Sequence, residues 1–153
     1  MTIRKSSVLV AGNGGAARGA IFALLDKGAR VTLTGRDPRR VAALARACGV
    51  EAMDRAKAAA AHFDVLVHAT PLGMHPNVGE SFFNDRIPAD LVFDMVYNPI
   101  ETRLLRQARA AGRETIPGIE MFTEQAAAQF EIWTGEKAPR TIMRNAVLEA
   151  LGA

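Results

Sequence analysis

The sequence of 153 residues has one cysteine, Cys48, and no apolar run of about 18 residues. A single cysteine excludes an internal disulfide and is typical of a reducing compartment. The lack of a long apolar run argues against a transmembrane helix, and residues 1–5 do not read as a basic-then-apolar leader. We therefore predict a cytoplasmic protein with no membrane partner.

A large excess of charge of one sign is also absent. The chain has 19 Lys and Arg against 16 Asp and Glu, a net charge of +3, and its basic residues are scattered, which argues against a nucleic-acid partner. With 13 glycines and 7 prolines the sequence has too few of either for a fibrous or disordered chain. Its length predicts a single domain over residues 1–153.

Strand and helix patterns alternate along the chain. Apolar and β-branched runs predict six strands, at residues 7–11, 30–34, 50–53, 64–69, 91–97 and 114–116. Helical spacing or propensity predicts helices at residues 16–27, 38–48, 55–61, 102–111, 121–133 and 141–151. This alternation predicts an α/β fold of the Rossmann type, a doubly wound, parallel six-stranded sheet of order 3-2-1-4-5-6 with helices on both faces.

The turn after the first predicted strand contains glycines at a spacing typical of a dinucleotide site. Gly12, Gly14 and Ala17 match G-x-G-x-x-A, in which the first position allows the turn, the second lets backbone approach a pyrophosphate, and the third packs the helix on its strand. The helix that follows would direct its free N–H groups at the anion. The alternative is an ordinary strand-to-helix turn of an α/β protein.

The end of the second predicted strand indicates which dinucleotide is bound. Arg36, with Arg40 or Arg39 about a turn later, supplies guanidinium groups suited to a 2′-phosphate. Asp37 could instead hold a ribose hydroxyl and select NAD. Because Pro38 follows directly, we interpret Asp37 as a helix N-cap and predict NADP as the cofactor.

Five segments in this order resemble the nucleotide-binding half of shikimate dehydrogenases: residues 12–18, 35–40, 69–74, 94–99 and 118–125. That family reduces 3-dehydroshikimate to shikimate with NADPH in aromatic amino-acid biosynthesis. Two positions depart from its pattern, since His68 and Gly35 stand where the family usually has asparagine.

The resemblance implies roles for particular residues. It assigns to the cofactor site Gly12, Asn13, Gly14, Gly15, Ala16, Ala17, Arg36, Asp37, Arg40, Thr70, Pro71, Met74, Gly118 and Met121. Among these, Gly118 and Met121 would touch the nicotinamide. Tyr97 and Gln125 would reach the substrate, and no metal is implied.

Ketone reduction also needs a group that protonates the developing alkoxide. None of the four lysines follows a predicted strand. His68, His75 and Tyr97 lie near the carboxyl edge of the sheet, but His68 could equally be a hydrogen-bonded strand-end residue and Tyr97 a core aromatic.

The resemblance implies that the catalytic lysine and aspartate belong to a separate, preceding domain. We therefore expect this chain to be a fragment, or one domain of a longer or fused enzyme, and to be inactive by itself. The face that would meet the missing domain includes the last predicted helix, so Ile142, Val147, Leu148 and Leu151 are expected to be partly exposed and to favour self-association.

Two other functions stay open on the sequence. The same fold could serve as a non-catalytic NADP-binding or regulatory module, or as the NADP domain of another reductase such as glutamyl-tRNA reductase. The segments 97–99 and 118–125 favour the shikimate dehydrogenase interpretation.

Overall fold

The computed structural model describes residues 3–84 and 86–152, which form one sheet flanked by helices. Met1 and Thr2, part of the segment searched for a leader, lie outside the described residues. The elements follow in the order β1 (Ser7–Ala11), α1 (Gly15–Asp26), β2 (Arg30–Thr34), α2 (Pro38–Cys48), β3 (Glu51–Ala52), α3 (Arg55–Ala60), β4 (Phe63–His68), β5 (Ala89–Asp94), α4 (Arg103–Ala110), β6 (Glu114–Ile116), α5 (Gly118–Thr134) and α6 (Arg140–Ala150).

The sheet has six strands in the order β3-β2-β1-β4-β5-β6, and every neighbouring pair is parallel. This confirms the predicted fold class and strand order. The order reverses between β1 and β4, and in sheets of this kind ligands bind at the carboxyl ends of the strands beside that reversal.

Both faces of the sheet are covered, because residues along a strand point alternately to opposite sides. Val8 and Val10 of β1 pack with Ile21 of α1 in one buried cluster. Leu9 of β1 packs with Leu104 of α4 in a second cluster. The central strand therefore contributes to two cores, as expected for a sheet with helices on both faces.

Side chains cap three of the helices. Asp37 accepts hydrogen bonds from the backbone N–H groups of Arg39 (3.0 Å) and Arg40 (3.3 Å) at the start of α2, which confirms its interpretation as an N-cap. Asp54 caps α3 and Thr102 caps α4 in the same way. In the described part of the chain, no helix is both long and apolar enough to cross a bilayer.

Two predicted boundaries were wrong by three residues. The strand expected over 91–97 is β5, Ala89–Asp94, because its pairing with β4 begins at Phe63 and stops where His68 lies opposite Asp94. The helix expected from 121 is α5, which begins at Gly118. Pro-Gly is a turn signal in the sequence, but here the proline at position 117 is the N-cap of the helix. The other boundaries differ by two residues or fewer.

Candidate active site

The turn after β1 is held between the two neighbouring strands. The Gly12 N–H donates to the Thr34 carbonyl of β2 at 2.9 Å. Its φ is +133°, and a Cβ at this position would lie 2.5 Å from the carbonyl oxygen of Ala69, just beyond β4. Only glycine fits such a backbone and such a close approach, so Gly12 sets the path of the chain at the point where the strand order reverses.

The N-terminus of α1 is open. Its N-cap is Gly14, no side chain of the described residues caps it, and no acidic residue lies in its first turn. A Cβ at Gly14 or Gly15 would meet nothing within 4 Å. The free N–H groups and the positive end of the helix dipole are therefore available to an anion. Ala17 is fully buried against the sheet, as its place in the motif requires.

A cleft of about 710 Å³, here called the arginine cleft, lies beside this turn. Seven of the predicted cofactor residues line it: Gly12, Asn13, Arg36, Asp37, Arg40, Thr70 and Pro71. They come from the segments that follow β1, β2 and β4. The fold thus brings together three stretches of sequence that the interpretation assigned to one ligand.

Arg36 is exposed in the arginine cleft and makes no hydrogen bond or ion pair with any residue that the structure describes. Arg40 lies 3.5 Å from the Asp37 carboxylate, measured from Nε to Oδ2. Because Asp37 is engaged by two backbone N–H groups and by Arg40, it is poorly available to a ribose hydroxyl. Arg39 is exposed and does not line the cleft.

Two further arginines line the arginine cleft and were not anticipated. The Arg55 guanidinium lies 4.6 Å from the centre of the Phe82 ring and donates to the Phe82 carbonyl. Arg103 donates from Nη1 to the Gly79 carbonyl at 2.8 Å. No local spacing in the sequence signals either residue, because both reach the cleft only through contact with the segment between β4 and β5.

A second cleft of about 410 Å³, the tyrosine cleft, shares Thr70 and Pro71 with the first. Ala16, Met74 and Tyr97, all predicted site residues, also line it. The Tyr97 ring is stacked on Phe122 of α5, with ring centres 4.3 Å apart. Tyr97 remains 37% exposed, so its ring forms a wall of the cleft rather than part of the core.

Six predicted site residues line neither cleft: Gly14, Gly15 and Ala17 at the start of α1, and Gly118, Met121 and Gln125 on α5. Gly118 is buried, and a Cβ there would lie 2.4 Å from the Val96 carbonyl oxygen, so this glycine permits close packing of α5 against the end of the sheet. Met121 is half-buried and Gln125 is exposed. Their contacts with nicotinamide and substrate stay predictions.

A buried polar network lies beneath Thr70. His68 and Asp94, at the ends of β4 and β5, are both fully buried, and Nδ1 of His68 lies 2.8 Å from Oδ1 of Asp94. The other ring nitrogen contacts the Thr70 hydroxyl. Thr102 donates from its hydroxyl to Oδ2 of Asp94 at 2.6 Å. His68 is thus a strand-end residue held by hydrogen bonds, one of the two interpretations that the sequence left open.

The lysines lie away from both clefts. All four are exposed, and none lines either cavity: Lys5, Lys27, Lys57 and Lys137. The titratable residues that line the tyrosine cleft are His75 and Tyr97. Over residues 3–84 and 86–152, this part of the site therefore contains neither a lysine nor a carboxylate for proton transfer.

The last two helices expose apolar side chains. Ile142 on α6 is 69% exposed, as predicted, and no residue of α6 is buried. Val147, Leu148 and Leu151 are half-buried. Trp133 at the end of α5 is 77% exposed and was not anticipated.

Comparisons with known proteins agree with this geometry. A family model described as shikimate / quinate 5-dehydrogenase matches residues 1–95, and one described as shikimate 5′-dehydrogenase C-terminal domain matches residues 118–148. The NADP⁺-dependent shikimate dehydrogenase of Methanosarcina acetivorans is 40% identical over 162 residues, which cover 99% of this chain and 58% of the relative.

Solved structures give the same picture. Shikimate 5-dehydrogenase from Thermus thermophilus, in complex with NADP(H) and shikimate, is 35% identical with a TM-score of 0.83, covering 96% of this chain and 56% of that one. Quinate dehydrogenase from Corynebacterium glutamicum, in complex with NAD, is 32% identical with a TM-score of 0.82, covering 95% and 56%. The chain therefore spans little more than half the length of these relatives.

Proposed function

The chain belongs to the shikimate / quinate 5-dehydrogenase family, and we propose that it forms the NADP-binding half of a cytoplasmic shikimate dehydrogenase. The complete enzyme would transfer a hydride between NADPH and 3-dehydroshikimate to give shikimate. Bound NADPH supplies the hydride. The contribution of this chain is to hold the dinucleotide across the carboxyl ends of β1 and β4 and to present its reactive end to the substrate.

The turn after β1, residues 12–15 and here called the glycine turn, fits a dinucleotide diphosphate. The uncapped N-terminus of α1 offers free N–H groups, and the absence of side chains at Gly14 and Gly15 leaves room for phosphate oxygens to approach them. Asn13 lies in the same turn and lines the arginine cleft. These residues would bind the diphosphate of either NAD or NADP.

Arg36 carries the preference for NADP. A guanidinium group with no partner among the described residues, exposed in the cleft just past β2, is suited to a 2′-phosphate, and Arg40 adds a second positive charge nearby. NAD is the real alternative, since the quinate dehydrogenase of similar structure was solved with NAD. The engagement of Asp37 as a helix cap favours NADP over that alternative.

The tyrosine cleft is the proposed nicotinamide and substrate side. Met74 and Ala16 would line the cofactor there, and Tyr97 would contact the substrate. Gly118, Met121 and Gln125 would complete this side from α5. Because no described lysine or carboxylate lines the tyrosine cleft, we infer that the proton-transfer groups belong to another part of the full enzyme.

The cofactor assignment is tested by calorimetry with NADP⁺ and NAD⁺ on the wild type, Arg36→Ala and Arg39→Ala. A hydrogen bond to a charged group contributes about 1.5–3 kcal/mol, so we expect NADP⁺ to bind at least about tenfold more tightly than NAD⁺. Arg36→Ala should remove most of that difference by weakening NADP⁺ binding alone.

Arg39→Ala is the matched control, because Arg39 is an exposed arginine of the same helix that lies outside the cleft. It should leave both affinities within about twofold. Equal binding of the two nucleotides by the wild type would contradict the assignment, as would an equal loss of both in Arg36→Ala.

A second experiment tests whether this chain binds the cofactor without catalysing the reaction by itself. The purified 153-residue chain should bind NADP⁺ yet show no measurable oxidation of shikimate, followed by NADPH absorbance, because no lysine or carboxylate among the described residues lines the tyrosine cleft to transfer the proton. Steady turnover that scales with the concentration of the chain would show that this half is sufficient by itself.

A further inference from the structure

Thr70 lines both clefts. The buried polar network beneath it determines whether its hydroxyl can donate a hydrogen bond to a ligand or accept one from it. A threonine hydroxyl has one proton to donate and two lone pairs that accept. His68 contacts the Thr70 oxygen through Nε2, so it determines how the proton and the two lone pairs of this hydroxyl are arranged. The protonation of His68 therefore determines the hydrogen-bonding character of this point in the site.

The Asp94 side determines which nitrogen of His68 carries the proton. Asp94 Oδ1 accepts from the Val96 N–H at 3.1 Å, and Oδ2 accepts from the Thr102 hydroxyl at 2.6 Å. The Thr102 oxygen in turn accepts from the Leu105 N–H at 3.2 Å, so its proton is free to be donated to Asp94. A carboxylate that receives these donors is acceptor-only, and Nδ1 of His68 must carry a proton to meet it.

The Nε2 side is then an acceptor if His68 is neutral. The Asp94 carboxylate already accepts hydrogen bonds from the Val96 N–H and the Thr102 hydroxyl. A positive charge on the fully buried His68 ring, in addition to the negative charge of Asp94, would carry a desolvation cost. Neutral Nε2 accepts the Thr70 hydroxyl proton, in the same arrangement by which an aspartate holds the tautomer of a histidine beside a hydroxyl in hydrolytic triads. In the series of hydrogen bonds Thr102–Asp94–His68–Thr70, each donor then meets an acceptor.

The remaining capacity of Thr70 follows from this arrangement. Its proton is donated in the hydrogen bond to Nε2 of His68, and one lone pair accepts from the Leu72 N–H at 3.2 Å. Its methyl group is directed at the glycine turn, 3.4 Å from the position of a Cβ on Gly12. The hydroxyl therefore has one lone pair left for a ligand, and its proton is already engaged with His68.

We propose that His68 is a positioning residue that makes Thr70 a pure hydrogen-bond acceptor toward the dinucleotide. At this point the site would take a ribose hydroxyl or an amide N–H and would reject a phosphate oxygen. The proposal rests on the proposed binding of a dinucleotide for its ligand, but the state of His68 is a property of the chain itself and is measured without a ligand.

The first measurement is the ¹⁵N spectrum of His68 at neutral pH, in the wild type and in Thr70→Val. In the wild type we expect a protonated Nδ1 and an unprotonated Nε2. In Thr70→Val the Nε2 signal should shift, because valine has the same shape and no proton to donate. Protonation of both nitrogens, or a proton on Nε2 alone, would overturn the proposal, as would an unmoved Nε2 signal in the valine variant.

The second measurement is NADP⁺ affinity across a double-mutant cycle. Thr70→Val should weaken binding about 2- to 12-fold, the range for one ordinary hydrogen bond, and Thr70→Ser should restore wild-type affinity. His68→Asn, whose amide can still reach Asp94 but not Thr70, should also weaken binding. Both changes act on one contact. The variant that carries Thr70→Val and His68→Asn together should therefore bind NADP⁺ no more weakly than the single variant with the lower affinity.

The outcomes separate this proposal from the proposed function. Additive losses in the cycle would show that His68 does not act through Thr70, and unchanged affinity in Thr70→Val would remove the contact. A wild-type chain that binds no NADP⁺ would refute the proposed function and the role of Thr70 toward a dinucleotide. The ¹⁵N result would still decide the tautomer of His68.

Discussion

At the scale of single residues, two glycines three positions apart serve different purposes. Gly12 is required by the backbone, since its φ is +133° and a side chain would meet the Ala69 carbonyl at 2.5 Å. Gly15 has an ordinary helical position and open space where a Cβ would stand. The first glycine is needed to fold the turn, and the second leaves space for a ligand.

Alanine at these two positions should therefore give opposite results. Gly12→Ala should lower the free energy of unfolding by about 1–3 kcal/mol, because the new methyl group overlaps backbone that is fixed by the sheet. Gly15→Ala should leave stability unchanged or raise it by up to about 1 kcal/mol, as alanine favours the helix, while NADP⁺ affinity falls. Urea unfolding and calorimetry measure the two effects, and a Gly15→Ala variant that binds NADP⁺ normally would show that the ligand does not approach this turn.

At the scale of elements, charged side chains join α6 to α5. Arg140 donates from Nη1 to Oε1 of Glu131 at 2.7 Å, and Arg144 donates from Nη2 to Oε1 of Glu120 at 3.0 Å. The hydrogen bond from Arg140, followed by one from the Ala138 N–H, lowers the pKa of the Glu131 carboxyl. Since α6 has no buried residue, these contacts are a main attachment of the last helix.

The lowered pKa of Glu131 predicts how the stability of the folded chain changes with pH. The ionised carboxylate stabilises the folded chain above the ordinary glutamate pKa of about 4.3, and this contribution is lost as the pH falls through the lower pKa of the folded state. Glu131→Gln should therefore lower the melting temperature at neutral pH, and the difference from the wild type should shrink in acid. Glu149→Gln, an exposed position on α6, should show neither effect. A difference from the wild type that does not depend on pH would contradict the assignment to charge.

At the scale of the whole molecule, the exposed apolar side chains of α5 and α6 are out of keeping with an isolated domain. Ile132, Trp133 and Ile142 are 79%, 77% and 69% exposed. Large apolar groups exposed in this way favour association. The relatives are nearly twice as long as this chain, so if the chain is one half of such an enzyme, as we propose, other parts of the polypeptide would be available to cover these groups.

We predict that the isolated chain self-associates through this region. Sedimentation velocity at increasing concentration should show species larger than the monomer, and Trp133→Ser with Ile142→Ser should shift the distribution to the monomer. Val78→Ser is the matched control, because Val78 is an exposed apolar residue in the segment between β4 and β5. A monomer at all concentrations, or an equal effect of the control, would refute the prediction.

The sequence by itself determined the fold class, the strand order and the place of the glycine turn, because these follow from local periodicity and from the handedness and spacing of strand–helix units. It also predicted Arg36 beside the glycine turn, since the carboxyl ends of neighbouring parallel strands meet at one edge. Arg36 and Gly12 line the same arginine cleft, and the contact of Arg36 with a 2′-phosphate stays a prediction.

Only the tertiary structure decided the contacts between residues far apart in the chain. The pairing of His68 with Asp94 depends on the register of β4 against β5, and the approach of Arg55 to Phe82 depends on the path of an irregular segment. Likewise, the close contact of Gly118 with Val96 reflects how α5 docks on the sheet. Register, loop path and docking are set by long-range packing, whereas residue patterns report only the conformation and exposed faces of each element.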